Sequence, residues 1–221
     1  MGLLSNKNAD GDDMVFDFHF PTSKKALIIF TRNPELGKCK TRLAKTVGDE
    51  AALKIYTFLL KHTSTVAEFV KADKYVFYSE HINSNDLWNS DIFRKKLQYG
   101  TDLGSRMENA FSELFNLDYE KVIIIGSDLL DLNQQLIEHA FDQLASNDVV
   151  IGPSKDGGYY LLGMRITHQN IFKNKAWGTE SVFKDTLNDL QKCKVELLEE
   201  LIDIDTFEDM KHYKQLEQFY K

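Results

Sequence analysis

The chain has 221 residues, 43% of them hydrophobic and 28% charged, with a formal net charge of −7. That length supports one substantial domain, while apolar runs too short to cross a bilayer and an acidic balance argue against membrane spanning and general nucleic-acid affinity. Two cysteines, Cys39 and Cys193, leave no disulfide framework and no zinc site built from cysteine pairs.

In chain order, residues 1–23 read as a tail. Its "SNKNADGDD" is polar, and "FDFHF" alternates with period two as a possible edge strand. Residues 24–221 read as a single domain, and no basic-then-apolar leader opens the chain, so a cytoplasmic location is expected. "KKALIIF" is an apolar strand of the kind buried on both faces of a parallel sheet. The loop "TRNPELGKCKTR" follows, and then apolar residues at helical spacing over 49–70, with Asp49 as N-cap. "KYVFYS" and "KLQYG" are the next strands, and residues 102–115 form a helix with Leu103, Met107, Ala110, Phe111 and Leu114 along one face. "KVIIIG" is another buried strand, followed by a helix over 133–145, the strand "DVVIG", the turn "PSKDGG" and the strand "YYLLGM". A helix over 177–190, a strand over 194–201 and a helix over 205–220 complete the chain. Strands alternating with helices predict an α/β fold with a mostly parallel sheet, in which ligands gather at the carboxyl ends of the strands.

The loops at those ends carry the chemistry. The first concentrates Arg32, Lys38, Lys40, Arg42 and Lys45 against one acid, Glu35, in a chain that is acidic overall. It has neither Walker A nor G-x-G-x-x-G spacing, so it is either a different phosphate-binding device or a solvated basic loop. Cys39 lies among these cations, which favour a lowered thiol pKa. After "KVIIIG", Asp128 is left without a capping job because Asp131 and Asn133 are better placed to cap the next helix, which makes it a candidate ligand for Mg²⁺ or Mn²⁺. In "SKDGGYY", the paired glycines after Asp156 mark either a tight hairpin or a close approach of a ligand. In "DIDTFED", Thr206 or Asp205 is a helix cap, or else Asp203 or Asp205 completes a two-carboxylate metal site with Asp128. Trp177 is a candidate pocket wall.

Taken in order, "FTRNPELGKCKTRLA", "YGTDLGSRM", "GSDLLDL", "GPSKDGGYYLLGM", "AWGTESVF" and "DIDTFEDM" resemble the radical-SAM/selenodomain-associated transferases, bacterial proteins of the nucleotide-diphospho-sugar transferase superfamily. The resemblance runs from about Lys25 to Phe219. It implies a GT-A-type fold, a Rossmann-like sheet with helices on both faces. Arg32, Lys38, Lys40 and Arg42 would then meet phosphates, and Asp102 and Arg106 the base or sugar. Asp128 and Asp205 would hold a divalent metal, Mg²⁺ or Mn²⁺. Gly157, Gly158, Tyr159 and Trp177 would shape the sugar or acceptor pocket, with Asp156 as general base. The family follows its Gly-Ser/Thr-Asp with Cys-Pro or a similar turn, where this chain has Leu129 and Leu130. The expected activity is glycosyl transfer from a nucleotide-diphosphate sugar to a small-molecule acceptor. The alternatives are nucleotidyl transfer from an NTP to a phosphorylated small molecule, and nucleotide binding without catalysis.

Overall fold

The apolar segments pair into one seven-stranded sheet in the computed structural model, which describes residues 20–220. The strands are β1 (Lys25–Thr31), β2 (Asp73–Tyr78), β3 (Phe93–Leu97), β4 (Lys121–Ile125), β5 (Val149–Pro153), β6 (Tyr159–Met164) and β7 (Val195–Leu197), in the order β3-β2-β1-β4-β6-β5-β7. β1 runs parallel to β2 and β4, β2 to β3 and β5 to β7, whereas β6 lies antiparallel between β4 and β5. The expected mostly parallel α/β sheet is therefore present. "FDFHF" lies outside the described residues except for Phe20, which is exposed and in no strand.

Side chains alternate across each strand, and both faces of β1 and β4 are apolar, so both faces need a cover. On one face Leu27, Ile29, Ile123 and Ile125 pack beneath α2 (Asp49–Glu68) and α4 (Gln134–Gln143). On the other, Ala26, Ile28, Val122 and Ile124 pack beneath α3 (Leu103–Phe115). Of the remaining helices, α1 (Thr41–Val47) sits within the basic loop, where no helix was expected. α5 (Val182–Asp189) and α6 (Phe207–Met210) are shorter than their sequence patterns suggest.

Several boundaries differ for physical reasons. Gly48, with φ +83°, is the N-cap of α2, and Asp49 lies inside the first turn, where its charge favours the helix dipole. The third strand begins three residues before "KLQYG", since Phe93, Arg94 and Lys95 pair with β2. Residues 177–181 form turns around Gly178 instead of helix. β7 stops at Leu197, after which the chain runs on along β5: Leu198 N–H donates to Ile151 O, and Leu201 N–H donates to Pro153 O. That path carries the acidic segment 203–209 to the carboxyl end of the sheet. Among the described residues no helix is long and apolar enough to cross a membrane.

Candidate functional site

The carboxyl ends of β1 and β4 are adjacent, and the loops leaving them are tied from below by one side chain. Tyr56, on α2, accepts a hydrogen bond from Arg32 N–H (2.9 Å), and its hydroxyl lies 3.3 Å from Thr31 Oγ1 and 3.4 Å from Ser127 Oγ. Its helical spacing marks it as core, and only the tertiary structure shows its polar end fixing two loops. Buried Asn33 joins the first loop to the end of β2, donating to His81 O (2.8 Å) and accepting from Glu80 N–H (3.1 Å).

Three candidates converge above this base. The Lys40 side chain is 6% exposed, and its ammonium donates to Asp128 Oδ2 at 2.8 Å and lies 3.6 Å from Asp205 Oδ1. Arg42 Nη1 donates to Asp205 Oδ2 at 3.3 Å. Burial works against the Lys40 ammonium, but the charges of Asp128 and Asp205 outweigh it and hold its pKa above the ordinary lysine value. Lys40 also has the left-handed backbone φ of +49° at the N-cap of α1, a conformation few non-glycine residues adopt. Two carboxylates thus face one cation position. Their hard oxygen donors, each about one-third exposed, fit a Mg²⁺ or Mn²⁺ ion that keeps part of its water shell. Among the described residues no three His, Cys, Asp or Glu side chains form a ready metal cluster.

Asp128 is aimed without the proline turn. Leu129 and Leu130 are buried, Leu129 in the main core and Leu130 against Leu43, Ile204 and Met210. Asp128 O accepts from Ile204 N–H at 3.0 Å, which locks the loop to the acidic segment. Thr206 caps α6 in a reciprocal box with Asp209, so the capping role falls to Thr206 while Asp205 stays available to Lys40 and Arg42.

A cavity of about 220 Å³ opens beside this cluster, with Asp128, Asp156 and Asp203 among its lining residues. Burial, and then the negative charges of Asp128 and Asp156, push the Asp203 carboxyl up to about 7. The sequence left Asp203 and Asp205 as alternatives; the structure gives them different surroundings. Tyr159 and Trp177 line the cavity, as do Gly158, Leu103 and Met107. A Cβ on Gly104 would fall 2.3 Å from Phe172 O and 2.6 Å from the Trp177 ring, so glycine there lets the indole close against the start of α3.

The hairpin reading of the paired glycines holds. Residues 154–158 join β5 to β6 as a hairpin, in which Gly158 N–H donates to Asp156 Oδ1 at 2.8 Å. Gly157, with φ +87°, also meets another backbone, because a Cβ there would lie 2.4 Å from Glu180. The close approach is made by the chain itself.

Other candidates stand apart. Lys38 pairs with Glu35 (2.6 Å) and Glu80 (4.0 Å), outside the Asp128 cluster. Arg32 is exposed. Asp102 accepts from Ser105 N–H at 2.7 Å as the N-cap of α3, and this bond holds its carboxyl below the usual range. Arg106 Nε donates to Gly100 O at 3.3 Å. Cys39 corrects an expectation: it is 2% exposed, and burial raises its pKa despite Lys40 and Arg32 nearby.

A family model described as "Uncharacterized protein conserved in bacteria (DUF2064)" matches residues 62–179. Among solved structures, that of a "putative nucleotide-diphospho-sugar transferase" from Desulfovibrio desulfuricans G20 aligns at 30% identity and a TM-score of 0.81, covering 87% of each chain. CMP:2-keto-3-deoxy-manno-octonic acid synthetase complexed with CTP aligns at 10% identity and a TM-score of 0.54, over 89% of this chain and 99% of that one. Rv0371c from Mycobacterium tuberculosis H37Rv, in complex with manganese, aligns at 12% and 0.53, over 86% and 97%. These last two likenesses are of fold alone. No curated protein matches the chain.

Proposed function

The chain belongs to the bacterial family DUF2064, and from that premise we propose that it transfers a glycosyl group from a nucleotide-diphosphate sugar to a small acceptor. The observation that carries this reading is the buried Lys40 ammonium shared by Asp128 and Asp205, with Arg42 alongside, next to an aromatic cavity that Asp128 also lines. The 30%-identical relative named for nucleotide-diphospho-sugar transfer supports it. So does the motif order shared with the radical-SAM/selenodomain-associated transferases.

In this mechanism Lys40 and Arg42 exchange their carboxylate partners for oxygens of the donor diphosphate, and exposed Arg32 adds a third positive charge. Asp128 and Asp205 would hold a divalent ion, which supplies charge neutralisation on the departing diphosphate. Asp156 accepts the proton of the acceptor hydroxyl as that oxygen bonds to the anomeric carbon and the bond to the diphosphate breaks. Stabilising the leaving group is the term the site is best built to supply, because Lys40 and Arg42 are already gathered beside Asp128 and Asp205. Lys38, held by Glu35 and Glu80, has a lesser part in phosphate binding.

A second reading, nucleotidyl transfer from an NTP, is favoured by the position of Asp205, which faces the same cation as Asp128, as the carboxylate pair of nucleotidyltransferases would. Calorimetric titration with UDP-, GDP- and ADP-sugars and with nucleoside triphosphates, with and without Mg²⁺ or Mn²⁺, separates the two. Metal-dependent preference for a diphosphate sugar is expected. Preference for a triphosphate moves the assignment to nucleotidyl transfer, and binding of neither removes both.

A further inference from the structure

The cavity beside the carboxylate cluster has charged walls of one sign. Asp128, Asp156 and Asp203 line it, and among the described residues no lysine, arginine or histidine does. The cations of the site stay with the first loop, where Lys40 and Arg42 are held by Asp128 and Asp205. The rest of the wall is largely aromatic and aliphatic, including Phe30, Tyr159, Tyr160 and Trp177. Its volume of about 220 Å³ exceeds that of an apolar cavity of about 150 Å³ that holds benzene, so a substituted six-membered ring fits.

These walls select by charge. A phosphate or carboxylate group entering here loses water and meets the carboxylates of Asp156 and Asp203, while the Lys40 ammonium beside the wall is already held by Asp128. A hydroxyl or ammonium group donates to the carboxylates, and an ammonium is further stabilised by aromatic faces. We propose that this cavity is the acceptor subsite, and that it takes a ring-sized compound bearing a hydroxyl or amine while rejecting phosphorylated or carboxylated ones. The word acceptor rests on the transferase reading, whereas the charge selection rests on the cavity alone. If both hold, joining an NTP to a phosphorylated partner is disfavoured, because that reaction brings a phosphate into this space.

The test uses benzyl alcohol, benzylamine and benzyl phosphate, three probes that differ only in the group offered to the carboxylates. Ligand-observed NMR on the whole protein without nucleotide gives their relative affinities. The alcohol and amine are expected to bind at least roughly tenfold more tightly than the phosphate. In the Asp156→Asn, Asp203→Asn double variant the amine should weaken and the phosphate approach the alcohol. Phosphate binding as tight as the alcohol overturns the proposal, and so does absence of binding by all three at 10-fold molar excess and above, up to their solubility. Because nucleotide is absent, the outcome is independent of the donor titration: charge selection without nucleotide binding leaves the cavity and removes the transferase, and the reverse result does the opposite.

Discussion

Lys40 occupies a position that two carboxylates contest, and its removal exposes what they do without it. In Lys40→Ala, Asp128 and Asp205 would face each other across an empty cation position at neutral pH. Breaking a fully buried pair costs about 3–5 kcal/mol; with both carboxylates about one-third exposed, solvent screening reduces the expected loss to about 1–2 kcal/mol. Chemical denaturation at pH 7 measures it. The same variant should gain more thermal stability from Mg²⁺ or Mn²⁺ than the wild type does, since the ion replaces the missing charge. A variant indifferent to both ions would remove Asp128 and Asp205 as a metal pair. Asp203 makes a separate prediction for the metal-free protein in chelator. Its carboxyl is pushed up to about 7 in the folded state, against about 3.9 in an unfolded chain. The folded state therefore holds the extra proton, and this group's contribution to stability falls as pH rises from about 4 to about 7 and is flat above. Asp203→Asn should be more stable than the wild type at pH 8, with the difference shrinking towards pH 5. A difference that does not change with pH would place Asp203 in water.

At the scale of elements, a hydrogen-bonded node fastens the start of the sheet. Asp73, the first residue of β2, accepts from Thr22 N–H (2.8 Å), Thr22 Oγ1 and Ser23 N–H (3.3 Å), and from the Tyr119 hydroxyl at 2.6 Å. Burial raises its pKa, but the hydrogen bonds from Thr22 and Tyr119 outweigh that and hold the carboxyl below its usual value. Its contribution is therefore complete above the unfolded carboxylate pKa and lost as pH falls through the folded one. Asp73→Ala should cost about 2–4 kcal/mol at pH 7, and an acid titration of unfolding should show the gap between variant and wild type closing at low pH. The central strands were legible because Ala26 to Phe30 and Val122 to Ile125 are continuous apolar runs. β3 was displaced in the reading because it is an edge strand whose Arg94, Lys95 and Lys96 break the apolar pattern, which also suits a strand that must not recruit another. The C-terminal helix was expected to be continuous, yet Phe207, Met210, Tyr213, Leu216 and Phe219 recur every three residues. That period matches a 3₁₀ helix, and the chain breaks into α6 and a 3₁₀ helix over Lys214–Phe219 that together pack this stripe on α1 and α2. In the site, Lys40, Asp128 and Asp205 were legible as charges at strand ends. Tyr56 was not, because a tyrosine at helical spacing reads as core until its hydroxyl partners are known.

For the whole molecule, the decisive feature is that one sheet runs from β3 to β7, with both faces covered across its centre. Residues 24–221 should therefore unfold as one cooperative unit, although the site joins Lys40 to Asp128 across 88 residues and Arg42 to Asp205 across 163. The chain's two tryptophans allow this to be tested at two places. Trp88, 2% exposed, packs edge-on against Phe93 of β3 with ring centroids 5.2 Å apart, at one edge of the sheet. Trp177 lines the cavity beyond β4 and touches the start of α3. In Trp88→Phe the remaining fluorescence reports the cavity, and in Trp177→Phe it reports the β3 edge. Each substitution lowers stability by its own amount, so midpoints are compared within a variant, fluorescence against far-ultraviolet circular dichroism. Coincident midpoints in both variants are expected for a single cooperative unit. If cavity fluorescence changes before the dichroism in Trp88→Phe, while the two coincide in Trp177→Phe, the carboxyl-terminal part opens separately. The acidic segment would then join Lys40 only in the fully folded state, and nucleotide binding should raise the earlier transition selectively.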